Sequence, residues 1–287
     1  STVLLGGQAL LLGGSDAQQQ AWLPRLCAGD AILTLAHQEA RSRYDLNHVE
    51  TRAEKSGAGW LLRGEKIQVL DGHVADALLI PARSSGGAAD AAGISLFLVP
   101  QGAAGLCITR QTRVDSRGAA LLKLDRALGE LVGAEGRAAA LLARVIDRAT
   151  VGLCAEMLGG MQQAFALTLL HLKTRKQFDV PIGSFQALKH RAAEVFIELE
   201  LAKSVVMAAA RAIDADDAEL PKLVSLAKAK CSDAYVLATN EGVQMFGGVG
   251  MTDEYDIGLY MKRARAAELS FGDAAFHRAR WASLGGY

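Results

Sequence analysis

The feature that most constrains this chain is a change of hydrophobic period at Gly133-Ala134-Glu135-Gly136. Before it, from Ala31 to about Leu128, apolar residues come in short alternating or continuous runs, each bounded by Gly, Pro or Asp. Such runs read as strands. After it, apolar residues recur at three- and four-residue spacing to the end of the chain. That spacing puts them on one face of each of several long helices. The pattern predicts an α+β chain in three parts: a helical tail over 1–29, a β domain over 30–132 and a helical domain over 133–287.

Thr2 to Leu12 is an apolar helix closed by Gly13-Gly14. Ser15-Asp16 opens a short helix over Gln18–Cys27, which Pro24 interrupts. The strands expected next are Ala31–Ala36, His48–Glu54, Gly59–Arg63, Lys66–Leu70, Ala77–Ile80, Ile94–Val99 and Leu106–Thr109, with a Gly64-Glu65 turn between the third and fourth. Ser84–Asp90 reads as a flexible loop. Short strands of this kind fit a small antiparallel β-barrel or sandwich. The helices expected are Arg137–Lys173, Ser184–Ile213 and one from Pro221 to about Met245, with two more after Glu254 and Glu268. Their alanine-rich faces suit close packing in an antiparallel bundle of the four-helix type.

With 287 residues and 51% hydrophobic content, the chain can bury a large core. Its formal net charge of +0 and 6% aromatic content argue against a nucleic-acid surface. Arg, Asp or Glu interrupts each apolar run before it is long enough to span a bilayer. The first residues lack the basic region of a signal peptide. Cys27, Cys107, Cys154 and Cys231 fit neither a zinc site nor a disulfide framework, so buried free thiols in a reducing cytoplasm are expected. The six histidines show no paired ligand spacing, and no metal is expected.

Two stretches carry chemistry. Thr174 to Gln186 joins two helices; Pro181 and Gly183 break the first, Ser184 is placed to cap the second, and Arg175 and Lys176 fall in the last turn of the first. Gln244-Met245-Phe246-Gly247-Gly248-Val249-Gly250 closes a later helix with glycines that let backbone approach a phosphate. An arginine fork near such a turn makes a reasonable diphosphate site, although a capped basic helix end reads the same on pattern alone.

The order Arg175-x-x-Phe178, Pro181-Ile182-x-x-Phe185-Gln186, Gln244-x-Phe246-Gly247-Gly248-x-Gly250, Glu254-Tyr255 and Met261-Lys262-Arg263 resembles the acyl-CoA dehydrogenase family, in register from about Leu12 to the end. The resemblance implies an FAD enzyme that dehydrogenates an acyl-CoA thioester, as in fatty acid β-oxidation. It also implies that most of an N-terminal helical domain is absent from the chain. In the family, the C-terminal helices of one subunit hold the adenine and pyrophosphate end of a neighbour's FAD. The positions carried over are Arg175, Gln177, Phe178, Phe185, Gln186, Gln244, Gly247 and Gly248.

The departures from the family are as informative. Abstraction of an α-proton needs a positioned carboxylate in a dry pocket. By register, the usual glutamate position holds Phe271, in Ser270-Phe271-Gly272-Asp273, and the alternative position on the first long helix holds Ala149. Asp273, Glu268 and Asp147 lie two or three residues away, where a helical offset turns a side chain off the original face; a solvated or capping role fits each better. Where relatives read Thr-Glu-Pro-Gly-Ala-Gly-Ser-Asp, this chain reads Gln38-Glu39-Ala40-Arg41-Ser42-Arg43-Tyr44-Asp45. Where they read Trp-Ile-Thr-Asn beside the flavin, it reads Gln68-Val69-Leu70-Asp71. The flavin-ring pocket is therefore expected to be degraded and the lent arm intact. That asymmetry resembles the companion subunit of a heteromeric α2β2 acyl-CoA dehydrogenase, found in bacteria that degrade steroid side chains. The rivals are a homo-oligomeric dehydrogenase with a displaced base and a flavin-free scaffold.

Overall fold

The computed structural model describes residues 1–57 and 59–287. They form two compact units, Ser1–Ala149 and Thr150–Tyr287.

In the first unit a π-helical turn over Thr2–Gly7 leads into α1 (Gln8–Gly13) and α2 (Asp16–Ala28). Ser15 caps α2 through a reciprocal box: its Oγ accepts from the Gln18 N–H at 3.3 Å, and Gln18 Oε1 accepts from the Ser15 N–H at 3.0 Å. Gly29, left-handed at φ 81, closes the other end. Capped at both ends, α2 runs through Pro24 instead of being interrupted by it.

Seven strands follow: β1 (Leu33–Leu35), β2 (Arg52–Ser56), β3 (Gly59–Leu70), β4 (Ala77–Arg83), β5 (Ile94–Pro100), β6 (Leu106–Gln111) and β7 (Ala119–Val132). The pairing path runs β1-β4-β2-β3-β7-β5, with β6 on β7, and β4 also pairs with β5. The sheet is mixed and not purely antiparallel as expected, because β1 and β2 both pair with β4 in parallel. Two further expectations change. Gly59–Arg63 and Lys66–Leu70 are one strand: Gly64 adopts φ 146, which extends the chain, and the irregularity is absorbed by register shifts against β7. The alternating run at His48–Glu54 pairs only from Arg52. The longest strand, β7, has no counterpart among the expected strands. Leu62, Val69, Ile80, Phe97 and Leu122 fill the core of this sheet, with Trp60 tilted on Phe97 at 5.3 Å.

The loop Ser84–Asp90, expected to be flexible, is pinned. Arg83 is 1% exposed, and its guanidinium donates to the carbonyls of Val49, Ala92, Asn47, Ala88 and Asp90 at 2.5–3.1 Å. Five acceptors on two loops satisfy one buried cation.

Helix α3 (Ala138–Thr174) begins in the first unit and ends in the second. The second unit continues with a two-stranded hairpin, β8 (Lys176–Gln177) and β9 (Val180–Pro181), then α4 (Gln186–Asp214), α5 (Leu220–Phe246), α6 (Ile257–Leu269) and α7 (Ala274–Leu284). Met157, Met161, Val195, Leu199, Val224, Cys231 and Tyr235 make its core. Small residues bring the helices close: a Cβ at Gly160 would run into the Tyr235 hydroxyl. All four cysteines are free, but Cys27 and Cys107 are exposed, so only Cys154 and Cys231 match the expected buried thiols. No helix among the described residues is long and apolar enough to cross a membrane, and none of their His, Cys, Asp or Glu side chains cluster as metal ligands.

Candidate functional site

The link between α3 and α4 is not a simple helix end. Helix α3 stops at Thr174, so Arg175 and Lys176 lie beyond its last turn, contrary to expectation. The Arg175 N–H still bonds the His171 carbonyl at 2.8 Å, and the Arg175 carbonyl accepts from Ile182 N–H at 2.9 Å. These bonds close the hairpin, in which Gln177 pairs with Val180. Phe178 and Asp179 at its tip have φ 55 and 64, the backbone of a type I′ turn built without glycine. A phenylalanine at positive φ is strained. Its side chain is 85% exposed and meets Phe185 edge-on at 6.1 Å. Ser184 does not cap α4: it belongs to a 3-10 turn, and the N-cap is Phe185, which has no side-chain acceptor.

Helix α5 ends at Phe246, and Gly247–Met251 forms a 3-10 turn. Gly247 has φ 69, which favours glycine. A Cβ on Gly247 or on Gly248 would meet nothing within 4 Å, whereas one on Gly250 would strike the Val243 carbonyl at 2.7 Å. Gly250 is thus small for packing. Gly248 has no such reason within the chain, and its bare backbone faces open space.

Aromatic rings join these two segments. His171 stacks on Phe246 with ring centroids 4.1 Å apart and planes at 15°, and Tyr255 meets both rings edge-on, at 6.0 and 5.2 Å. Arg175, Gln177, Phe178 and Phe185 at the hairpin and Gln244, Gly247 and Gly248 at the end of α5 therefore belong to one end of the helical unit. Gln186 opens α4 beside them. The guanidinium of Arg175 makes no ion pair or hydrogen bond among the described residues, and it is exposed. A free arginine fork, exposed aromatic faces and open glycine backbone are a donor set suited to a diphosphate with an attached aromatic base.

The other singled-out positions lie elsewhere. Phe271 occupies the turn between α6 and α7 at φ 59 and packs on the helical core. Its carbonyl is 3.0 Å from His277 Nε2. Lys228, fully buried on α5, donates to the carbonyls of Glu268 and Gly272 at 2.8 and 2.7 Å and so ties down both ends of that turn. Burial pushes the Lys228 ammonium down to about 8. Lys228 went unnoticed in the sequence, yet it was legible there: it stands between Val224 and Cys231 on the core face of α5. Asp273 is the N-cap of α7, accepting from Phe276 N–H at 2.8 Å, and Glu268 pairs with Arg265 at 2.8 Å. Ala149 is buried on α3 with Asp147 two residues before it, also buried.

In the β unit, the segment from Gln38 to Asp45 is folded by its own bonds. Ser42 Oγ accepts from the Glu39 N–H at 2.9 Å, and the Asp45 N–H reaches the Ser42 carbonyl at 2.8 Å. Glu39 is 3% exposed, bonded to Lys66 and to Thr51 Oγ1. Arg41 points outward to Glu50, and the Arg43 guanidinium lies 5.2 Å from the Tyr44 ring. Leu70 has no polar side-chain atom, and its carbonyl accepts from Thr34 Oγ1 at 2.7 Å.

Two family models match the chain: the acyl-CoA dehydrogenase middle domain over residues 34–125 and the acyl-CoA dehydrogenase C-terminal domain over residues 135–283. The chain belongs to the acyl-CoA dehydrogenase family. It is 29% identical over 272 residues to the acyl-CoA dehydrogenase FadE12 of Mycobacterium tuberculosis, covering 93% of this chain and 70% of that protein. Among solved structures, butyryl-CoA dehydrogenase from Megasphaera elsdenii superposes with a TM-score of 0.94 at 24% identity, over 100% of this chain and 76% of that one. An FAD-dependent dehydrogenase superposes with a TM-score of 0.92 at 26% identity, over 98% and 76%.

Proposed function

We propose that this chain is the companion subunit of a heteromeric FAD-dependent acyl-CoA dehydrogenase, completing the FAD site of a homologous catalytic partner. The observation that carries this reading is that the unpartnered Arg175 guanidinium and the open Gly247-Gly248 backbone follow the ends of two helices joined by the His171–Phe246 stack. Arg175 and the Gly247-Gly248 amides would hold the diphosphate. Phe178 and Phe185 would pack on the adenosine end, with Gln177, Gln186 and Gln244 as polar contacts. When bound, FAD supplies the hydride acceptor for α,β-dehydrogenation of the acyl thioester. The partner supplies the carboxylate base and the flavin-ring pocket. The absence of a carboxylate at Phe271 and Ala149 supports that division, as does the apolar Leu70 side chain where a flavin hydrogen bond is expected. The β unit is read as a small barrel closed by the β4–β5 pairing, and the helices as a bundle of the four-helix type, with the division at 1–29, 30–132 and 133–287 retained. The assembly is placed in the cytoplasm, and a bulky acyl-CoA is its substrate class.

Native mass spectrometry of the assembly purified with this chain tests the reading. The expected result is two kinds of subunit with fewer FAD than chains. A yellow homotetramer with full turnover would instead support the homomeric dehydrogenase, and a flavin-free oligomer the scaffold. Within the heteromer, Arg175→Ala should weaken FAD binding about ten- to a hundredfold, the worth of a charge-assisted contact, while turnover per bound flavin stays nearly unchanged.

A further inference from the structure

Arg175 directly follows α3 and Gly247 directly follows α5, and a diphosphate site made of both depends on their separation. One turn before Gly247, the helices are in close contact: a Cβ on Gly242 would lie 3.0 Å from Thr168 Oγ1. In the next turn the spacing is set by rings. His171 is 8% exposed, and its carbonyl holds the Arg175 N–H. Phe246, against which it stacks, is bonded directly to Gly247. A shift of either ring therefore moves one half of the site relative to the other. Tyr255 closes the cluster from the segment that follows the glycine turn.

We propose that His171 is a positioning residue for the diphosphate site, holding Arg175 in register with the Gly247-Gly248 turn through its stack on Phe246. The proposal rests on the reading of Arg175 given above. It also makes the site responsive to protons. Burial first, and then the positive charge of Arg175, hold the His171 imidazole below its ordinary value. The groups facing it are Arg175 just past the end of α3, the uncharged Phe246 of α5 and the phenol of Tyr255. An anion held by Arg175 offsets the guanidinium charge and lets His171 take up a proton more readily. By reciprocity, protonating His171 tightens the anion.

FAD affinity of the intact assembly, measured by flavin retention on dialysis against graded FAD, tests this with three variants. His171→Ala removes the stack and should weaken FAD binding about three- to tenfold. His171→Phe keeps the stack and should bind FAD as the unaltered chain does at pH 7.5, but it should lose the gain in affinity that the unaltered chain shows as pH is lowered towards 6. Arg175→Ala is the reference. If Arg175→Ala weakens binding while His171→Ala does not, or if His171→Phe keeps the full pH dependence, the positioning role is wrong and the diphosphate site stands. If Arg175→Ala has no effect, the diphosphate reading itself falls. Trypsin cleavage after Arg175 and Lys176 in the FAD-free full chain gives a readout without cofactor. It should accelerate in His171→Ala and not in His171→Phe, and equal rates would overturn the proposal. Should His171→Ala fail to fold, His171→Leu replaces it, with volume kept and the ring lost.

Discussion

The ammonium of Lys66 lies 2.5 Å from Glu39 Oε1, and both side chains are closed to solvent, at 0% and 3% exposure. Burial by itself pushes the Glu39 carboxyl up. The Lys66 charge and hydrogen bonds from Lys66, Thr51 and the Glu50 N–H outweigh it and hold the group below its ordinary value. The pair anchors the segment from Gln38 to Asp45 to β3, and Glu39 also holds the Glu50 and Thr51 amides.

Breaking that pair should be costly. Lys66→Met leaves a buried carboxylate uncompensated and should lower stability by about 3–5 kcal/mol. Adding Glu39→Gln, which removes the charge but keeps an acceptor for Thr51, should restore a large part of the loss. Urea unfolding of the two variants checks this; equal losses would show that the charge itself does not matter.

Gly248 and Gly250 should separate function from packing. Gly250→Ala must push its Cβ against the Val243 carbonyl and the Phe246 Cβ, and should destabilise the chain by about 1–3 kcal/mol. Gly248→Ala enters open space and should leave thermal stability unchanged while lowering FAD retention. Loss of stability in Gly248→Ala would remove the reason for assigning that glycine to a ligand.

The turn holding Phe271 offers a test of the proposed division of labour between this chain and its partner. On the companion-subunit reading, Phe271→Glu should generate no turnover, because the flavin-ring pocket is then still the partner's. Asp273→Asn preserves the α7 cap and should alter neither FAD content nor turnover, whereas Asp273→Ala should cost about 1 kcal/mol in helix stability. Loss of turnover at full flavin occupancy in Asp273→Asn would place the base on this chain. Steady-state assays with flavin absorbance distinguish the outcomes.

His277 predicts acid lability. Burial first, and then the Lys228 charge, lower its imidazole from 6.5 to about 4, against a bond to the Phe271 carbonyl that acts the other way. A folded value below the unfolded one means that the stability is full above pH 6.5 and is lost as pH falls from 6.5 towards 4. The loss from this one group should approach ~3 kcal/mol at pH 4. His277→Phe should flatten that part of the stability–pH curve. An unchanged slope in the variant would assign the acid loss to other groups.

The family was legible because its motifs are local: Arg175 to Gln186 and Gln244 to Gly250 each state their pattern within a few residues. Hydrophobic period was enough to separate strands from helices at Gly133–Gly136 and to bound α3, α4 and α5 to within a few residues. Ser15 and Pro221 marked helix starts because caps and proline act on neighbouring backbone. Where long-range pairing decides, the sequence was silent. Gly64-Glu65 reads as a turn by composition, yet β7 pairs with the strand on both sides and keeps it continuous. Ser84–Asp90 reads as flexible, yet Arg83 bonds carbonyls in two loops. The hairpin at Phe178 has no glycine to announce it, because its left-handed backbone is imposed by closure between Arg175 and Ile182. Nor could spacing show that His171 and Phe246, on different helices, stack and so bring the two motifs to one place. Local patterns fix elements; which distant side chains meet depends on packing that no short window of sequence contains.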